Sequence, residues 1–375
     1  MSTQPRTNPD RLIGDAGGAV GGVALIYADT HRLHAPSVEY NHDRLLPYAE
    51  TPERVASIFN RLSRLEFVRT HTPVTKIAEA ELIRSHSSEL LSYLRHTAKR
   101  AARQFKDDGG SDYALGDASY IYPSVFPLRG AWRSRLAESD MAAGCYAFDS
   151  FAPVGAGTWT AALYGAAAAA TAADLLKQGV DRIIYALSRP PGHHAGRTFT
   201  GGYCYLNNAA IAANRLRSLG RGAILDIDYH HGNGTQDIFW NDPDIFFASI
   251  HADPREEYPY YAGYEDETGG PEAPDTTMNI PLPLGTGDKV YLDALRKMLD
   301  RVMHYAPAWI VVSVGFDTYR GDKTCRFNLS GDAYYRIGSL LAHTGVPLLL
   351  VQEGGYNVSA NGTLAESLLQ GLLDP

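Results

Sequence analysis

Gly222-Ala-Ile-Leu-Asp-Ile-Asp-Tyr-His-His-Gly-Asn-Gly-Thr-Gln236 holds a strand and the chemistry that begins where the strand stops. Its first half is a short apolar run closed by aspartate, the pattern of a strand buried on both faces. Similar runs recur at Gly22–Tyr27, Arg182–Leu187, Ile245–His251, Trp309–Val314 and Pro347–Gln352. Between them lie helical stretches: Ser88–Arg103, Thr158–Lys177, Asn208–Leu219, Lys289–His304 and Ser330–His343. A further helix is expected after Thr51, with Thr51 as its cap and Pro52 at its first position. Val55, Ile58, Phe59 and Leu62 would then share one face. Strand and helix alternate almost throughout, which predicts one doubly wound α/β domain around a parallel sheet.

Length and composition agree. At roughly 150 residues per domain, 375 residues allow two or three domains or one large one. Apolar residues at 45% and charged residues at 20% exclude a disordered, collagen-like or coiled-coil chain. The net charge of −8 argues against a nucleic-acid partner and is compatible with a cationic one. Cys145, Cys204 and Cys325 form no CxxC pair and no disulfide framework, so a reducing cytoplasmic compartment is expected. Residues 1–20 read as a flexible extension rather than a signal, and the domain as 21–375. Ala161–Leu176 is mostly alanine, carries Asp174 and is too short to cross a bilayer, so it reads as a buried helix and no membrane partner is expected. Phe105–Pro153 mixes turn residues with aromatics and charges and reads as a long inserted loop.

In open α/β sheets the chemistry gathers at the carboxyl edge. Four strand ends carry it here: Arg189-Pro-Pro-Gly-His-His-Ala195, Asp226–Gln236, Gly315-Phe-Asp-Thr318 and Glu353-Gly-Gly-Tyr356. Asp228 and His230, two residues apart on an extended segment, share one face, and Asp317 is the best third ligand from another strand. Two carboxylates and an imidazole with open positions suit a catalytic Zn²⁺, and equally Fe²⁺ or Co²⁺. A structural zinc site is excluded, because no four-ligand Cys/His set exists. Singly, each residue has a plainer explanation as a surface or core group; their conjunction points to a site. His71, His86, His96 and His343 read as ordinary helix or loop residues, and His231 and His251 as structural ones.

Pro190-Pro-Gly-His-His-Ala195, Gly201-Gly-Tyr-Cys-Tyr-Leu-Asn-Asn208, Asp226–Phe239, Gly315–Thr318 and Glu353–Tyr356 together resemble the zinc-dependent histone deacetylase superfamily, from about Val23 to Leu373. His31-Arg-Leu33, Leu45–Arg54, Phe247–Pro254 and Tyr258–Gly269 resemble its bacterial acetylpolyamine amidohydrolases more than its protein deacetylases.

The resemblance implies an arginase-like fold with an eight-stranded parallel sheet, and Asp228, His230 and Asp317 as Zn²⁺ ligands. It pairs His193 with Asp226 and His194 with Asn233, partners that fix tautomer and basicity. Zn²⁺ and one histidine would activate water, Tyr356 would help stabilise the oxyanion, and His194 would protonate the leaving amine. Which histidine is base and which is acid stays open.

Monovalent cation sites, typically K⁺, are also implied. One uses Asp226, Ser249 and the carbonyls of Asp228, His230 and Ile250; the other lies near Phe239, Asp242 and Ile245. Gly202, Tyr203 and Tyr258 would line a narrow aromatic tunnel, although core packing competes for a chain with 23 tyrosines. The inserted loop would build a homodimer and supply acidic rim residues, Asp149 and Glu138.

The expected activity is therefore deacetylation of a small cationic acetylated amine, such as acetylputrescine, acetylcadaverine or acetylspermidine. The alternatives are a protein or peptide lysine deacetylase, a silent binding protein, and an arginase-like binuclear Mn²⁺ hydrolase, which would need bridging ligands not visible at these strand ends.

Overall fold

The computed structural model describes residues 22–41, 44–74, 76–107, 119–125 and 142–374; the expected 1–20 extension lies outside them. One eight-stranded, all-parallel sheet runs through the molecule. Its strands are β1 (Val23–Ile26), β2 (Val68–His71), β3 (Ile183–Ala186), β4 (Gly222–Asp226), β5 (Ile245–Ala252), β6 (Thr277–Leu282), β7 (Trp309–Val314) and β8 (Leu348–Gln352). Their spatial order is β6-β5-β4-β7-β8-β3-β1-β2. The chain passes from β3 to β4 across two places that β7 and β8 fill later. The four strands whose ends carry the chemistry are therefore adjacent.

The unbroken apolar runs follow from period-two geometry inside a covered sheet. Val23 and Leu25, Ala223 and Leu225, and Ile310, Val312 and Val314 enter one core. That core is shared with the helices Glu53–Leu62, Asp288–Tyr305, Gly331–Ala342 and Val358–Leu373. The alternate residues Ala24, Ile26, Ile224, Trp309 and Val311 enter a second core, with the helices Thr158–Lys177 and Asn208–Leu216. There Ala168, Ala169, Ala172 and Ala173 share the core with Ala209, Ala210, Ala212 and Ala213, and side chains this small let two helices approach closely. This accounts for the alanine-rich segment: it is a buried helix, and no described helix is long and apolar enough to cross a membrane.

Two expectations shift. The helix after Thr51 starts at Glu53 with Pro52 at its N-cap, and no side chain caps it. Thr51 contributes its carbonyl, which accepts the Arg54 N–H at 3.2 Å. Of Phe105–Pro153, expected as one inserted loop, the described residues include regular elements, and 108–118 and 126–141 lie outside the described residues. The helix Ser88–Asp107 runs into it, Ala143–Tyr146 is helical, and Tyr120–Ile121 pairs with Val154–Gly155. Tyr93 stacks on Tyr146 with centroids 4.9 Å apart, which ties the region to the body.

Candidate active site

Past β4 the chain turns on its own aspartates. The Asp228 N–H donates to Asp226 Oδ1 at 3.1 Å, and the His230 N–H donates to Asp228 Oδ1 at 2.9 Å. These i to i+2 bonds are what short carboxylates do at strand ends. They present Asp228 and His230 together, and the turn after β7 adds Asp317, whose Oδ1 accepts the Tyr229 N–H at 3.1 Å. One ligand atom from each of Asp228, His230 and Asp317 lies within 4.8 Å of the others. His230 Nδ1 is 3.4 Å from Asp228 Oδ1 and 3.2 Å from Asp317 Oδ2.

Glycines make room for the group. A Cβ on Gly315 would lie 2.1 Å from Asp228 Oδ2, and one on Gly354 would lie 2.3 Å from Asp317 Oδ2. Two fully buried carboxylates side by side are costly without a cation, since each loses several kcal/mol of hydration. Burial and the neighbouring Asp228 charge push Asp317 up to about 7. Burial opposes a charge on His230, but the hydrogen bonds and charges of Asp228 and Asp317 push it up to about 10. The group thus draws a positive charge into itself, and its donor set fits a divalent cation with open positions.

A second group, His193, Cys204 and Glu353, is also close enough to hold a metal. Its donors are already engaged: Glu353 accepts the Gly192 and His193 N–H groups at 2.7 and 3.1 Å, and the Ser313 hydroxyl at 3.2 Å. Burial pushes the Glu353 carboxyl up to about 7. It acts as the clamp that holds the Pro190–Ala195 turn.

His193 and His194 have ring centroids 4.0 Å apart, but their partners differ. His193 Nδ1 is 3.0 Å from Asp226 Oδ2, while His194 Nδ1 is 2.6 Å from Asn233 Oδ1. Burial works against a charge on His193, yet Asp228 and Asp226 raise it to about 10. Burial and the adjacent His193 and His230 hold His194 well below the usual imidazole range. The two neighbouring rings are thus pushed in opposite directions. Tyr356 also faces the cavity, and burial pushes its phenol upward, so it is a proton-bearing donor.

The site opens into a cavity of about 1140 Å³. His194, His230 and Tyr356 line it together with the expected Gly202, Tyr203, Tyr258 and Asp149. Tyr203 is 5.7 Å from Tyr356, and Tyr258 stands edge-on to His194 at 5.1 Å, centroid to centroid. Gly202 has φ +50°, and a Cβ there would lie 2.3 Å from the His194 ring, so this close approach requires glycine. The tyrosines are wall and not only core.

Asp149 differs from a free rim charge. Its Oδ2 accepts the Tyr258 hydroxyl at 2.6 Å and the Gly202 N–H at 2.8 Å, and its Oδ1 accepts the Phe151 N–H at 3.0 Å. It ties the walls together. Glu138 lies outside the described residues.

Of the residues expected around monovalent cations, Asp226 and Ser249 are register partners on β4 and β5, next to the fully buried Ile250. The Ser249 hydroxyl is 2.8 Å from His251 Nδ1. Asp242 accepts from Arg217 through its carboxylate, its N–H donates to the Phe239 carbonyl at 3.0 Å, and its carbonyl accepts the Ile245 N–H at 3.4 Å.

Sequence reading missed Glu39 and Arg54. Glu39 is 5% exposed, lines the cavity and accepts the Tyr203 hydroxyl at 2.9 Å. Arg54 sits over the Tyr356 ring at 4.6 Å and is held at 2.5 Å by Glu50, which also binds Arg189 at 2.8 Å. Nothing local marks either residue; a charged residue at a buried position of the Glu53–Leu62 helix was the one available sign.

The arrangement can add water to a carbonyl: His194, His230 and Tyr356 face one chamber, and the candidate cation-binding pair Asp228 and Asp317 and the imidazole of His193 lie directly behind them. Comparisons agree with it. Acetylpolyamine amidohydrolase 1 of Pseudomonas aeruginosa is 40% identical over 350 residues, covering 92% of this chain and 97% of that one. The acetylpolyamine amidohydrolase of Mycoplana ramosa is 36% identical over 350 residues, covering 93% and 99%. A crystal structure of the acetylpolyamine aminohydrolase from Burkholderia pseudomallei superposes with a TM-score of 0.84 at 32% identity, covering 93% of this chain and 98% of that one. The model of the histone deacetylase domain matches residues 48–372, and with the sheet order and strand-end residues in agreement, the chain belongs to the histone deacetylase family.

Proposed function

We propose that the protein is a metal-dependent amidohydrolase that removes the acetyl group from acetylated polyamines of the acetylputrescine, acetylcadaverine or acetylspermidine type. The observation that carries this reading is the grouping of Asp228 and Asp317 with His230, and of His193 with His194, where His194, His230 and Tyr356 face a tyrosine-walled cavity that Glu39 and Asp149 also line. The relatives named above share that activity in their names.

Asp228, His230 and Asp317 would hold Zn²⁺, with Fe²⁺ or Co²⁺ possible in the same donor set; when bound, the ion supplies a Lewis acid for the amide carbonyl and acidifies water. His194 donates its Nδ1–H to Asn233, which leaves Nε2 as a base for the attacking water. The same imidazolium then protonates the leaving amine. His193, with Nδ1 3.0 Å from Asp226 and Nε2 3.8 Å from Asp228, would carry a positive charge that offsets the negative charge developing on the amide oxygen. The Tyr356 hydroxyl donates to the developing oxyanion. Aromatic faces and the Glu39 carboxylate favour a cationic chain beyond the amide.

Around this centre we place K⁺ at Asp226, Ser249 and the carbonyls of Asp228, His230 and Ile250, and near Phe239, Asp242 and Ile245. A homodimer through the 105–153 region and a cytoplasmic location complete the reading; the three cysteines are free, which suits a reducing compartment. Turnover of acetylcadaverine against an acetyl-lysine peptide tests the substrate class. Faster turnover of the acetylated diamine is expected, and a strong preference for the peptide would overturn the polyamine assignment in favour of a lysine deacetylase.

A further inference from the structure

Tyr356 is carried on Glu353-Gly-Gly-Tyr356, and two successive glycines give its backbone little stiffness of its own. Gly355 sits at φ +110°. The stiffness comes from outside. Arg54 donates to the Glu353 carbonyl at 2.5 Å and to the Gly355 carbonyl at 2.6 Å, and Asp228 Oδ2 accepts the Gly354 N–H at 2.7 Å. Asn361 Nδ2 also donates to the Gly355 carbonyl, at 2.9 Å, so two side chains hold the carbonyl half of the Gly355–Tyr356 peptide.

The N–H half of that peptide, and the N–H of the next peptide after Tyr356, are held by a side chain from another loop. Asp322 Oδ2 accepts the Tyr356 N–H at 2.5 Å and the Asn357 N–H at 2.9 Å. Its Oδ1 accepts the Thr324 N–H at 2.9 Å and the Thr324 hydroxyl at 2.8 Å. The residue is 9% exposed, and with four donors on one carboxylate it is fixed in place. Asn357 Nδ2 adds a bond to the Gly321 carbonyl at 2.7 Å, so the loop and the start of the Val358–Leu373 helix are joined twice. A carboxylate at this helix start also faces the positive end of the helix dipole.

We infer that Asp322 is a positioning residue for the Tyr356 hydroxyl, fixing that phenol relative to Asp317, which lies on the same loop. The inference rests on Tyr356 being the oxyanion donor. A phenol oxygen lies far from its own Cα, so a small rotation of the peptide becomes a large displacement at the reacting oxygen. Misplacement by about 1 Å can cost about a hundredfold in rate. Arg54 stacks on the ring face and holds the Gly355 carbonyl on one side of Tyr356, whereas Asp322 takes the N–H groups of both peptides that flank its Cα.

The test is a double-mutant cycle on the metal-loaded enzyme, reading kcat and KM for acetylcadaverine together with bound metal per chain. Asp322→Ala is expected to lower kcat about 10- to 100-fold, with KM and metal content nearly unchanged. In a Tyr356→Phe background the same substitution is expected to change kcat by less than about twofold, because the group it positions is gone. Asp322→Asn, which keeps one oxygen for the two backbone donors, is expected to recover most of the lost rate, and it carries the cycle if the alanine variant does not fold.

An equal fall in kcat in the Phe background, an unchanged kcat in the wild-type background, or a loss matched by loss of metal would overturn the inference for Asp322. If Tyr356→Phe alone keeps wild-type turnover, the donor role of Tyr356 fails, and the inference falls with it for that separate reason.

Discussion

His194 Nδ1 lies 2.6 Å from Asn233 Oδ1, a neutral partner, whereas the adjacent His193 leans on a carboxylate. The amide oxygen fixes the tautomer and favours the imidazolium less than a carboxylate would, while burial and the adjacent His193 and His230 hold His194 well below the usual imidazole range. Asn233→Asp would place a negative charge there and raise the His194 pKa by about 1–3 units. A base works only when neutral, so the acidic limb of the kcat/KM profile is expected to move to higher pH. An unmoved limb would mean that His194 is not the base.

Tyr356→Phe removes one proton donor and leaves the ring under Arg54. It is expected to lower kcat by about 10²–10³-fold with metal content unchanged. Wild-type turnover in this variant would show the phenol to be structural.

Metal binding and stability are expected to rise together. Without a cation, Asp228 and Asp317 face each other in a fully buried pocket. Adding Zn²⁺ to chelator-treated protein should restore turnover and raise Tm, by an amount worth about 4 kcal/mol at a thousandfold excess over Kd. In Asp228→Ala both responses should vanish, and a Tm shift that persists there would place the metal elsewhere.

The six strands expected from sequence are central or nearly so, and their alternate residues feed two cores, so each reads as a continuous apolar run. The two that escaped, Val68–His71 and Thr277–Leu282, are the sheet edges. One has a single buried residue and the other carries Asn279 and Pro281, as edges tolerate. The grouping of Asp228, His230 and Asp317 was legible because adjacent strand ends of one sheet bring them together. Glu39 with Tyr203, and Arg54 with the Gly355 carbonyl, meet across 164 and 301 residues, distances no local pattern spans. Within Phe105–Pro153, Tyr146 packs on Tyr93 and Tyr120–Ile121 pairs with Val154–Gly155, contacts that no local pattern announces.

The Asp149 carboxylate joins the Gly202 and Tyr258 walls through hydrogen bonds, so its acceptors should matter more than its charge. Asp149→Ala is expected to raise KM about tenfold, the scale of one lost charge-assisted bond, and Asp149→Asn to recover most of it. Equal losses in the two variants would instead assign Asp149 to attraction of the cationic substrate.

His86 supports the turn that carries both active-site histidines. Its Nδ1 lies 2.9 Å from the Gly196 carbonyl and its Nε2 accepts the Asn207 N–H at 2.9 Å, an arrangement that needs the neutral ring. Burial holds it down to about 4, against 6.5 for the free side chain. Above pH 6.5 neither folded nor unfolded His86 is protonated, and its contribution is complete. Between 6.5 and 4 only the unfolded state takes the proton, so the contribution falls, by about 2 kcal/mol at pH 5. The destabilisation caused by His86→Gln, measured by urea unfolding, should therefore be smaller at pH 5 than at pH 7.5 by about that amount. Subtracting variant from wild type at each pH cancels the opposite trend of Glu353, whose raised carboxyl takes up a proton on folding in the same window. A difference that stays constant with pH would mean that His86 is protonated in the folded protein, and that the turn is held in some other way.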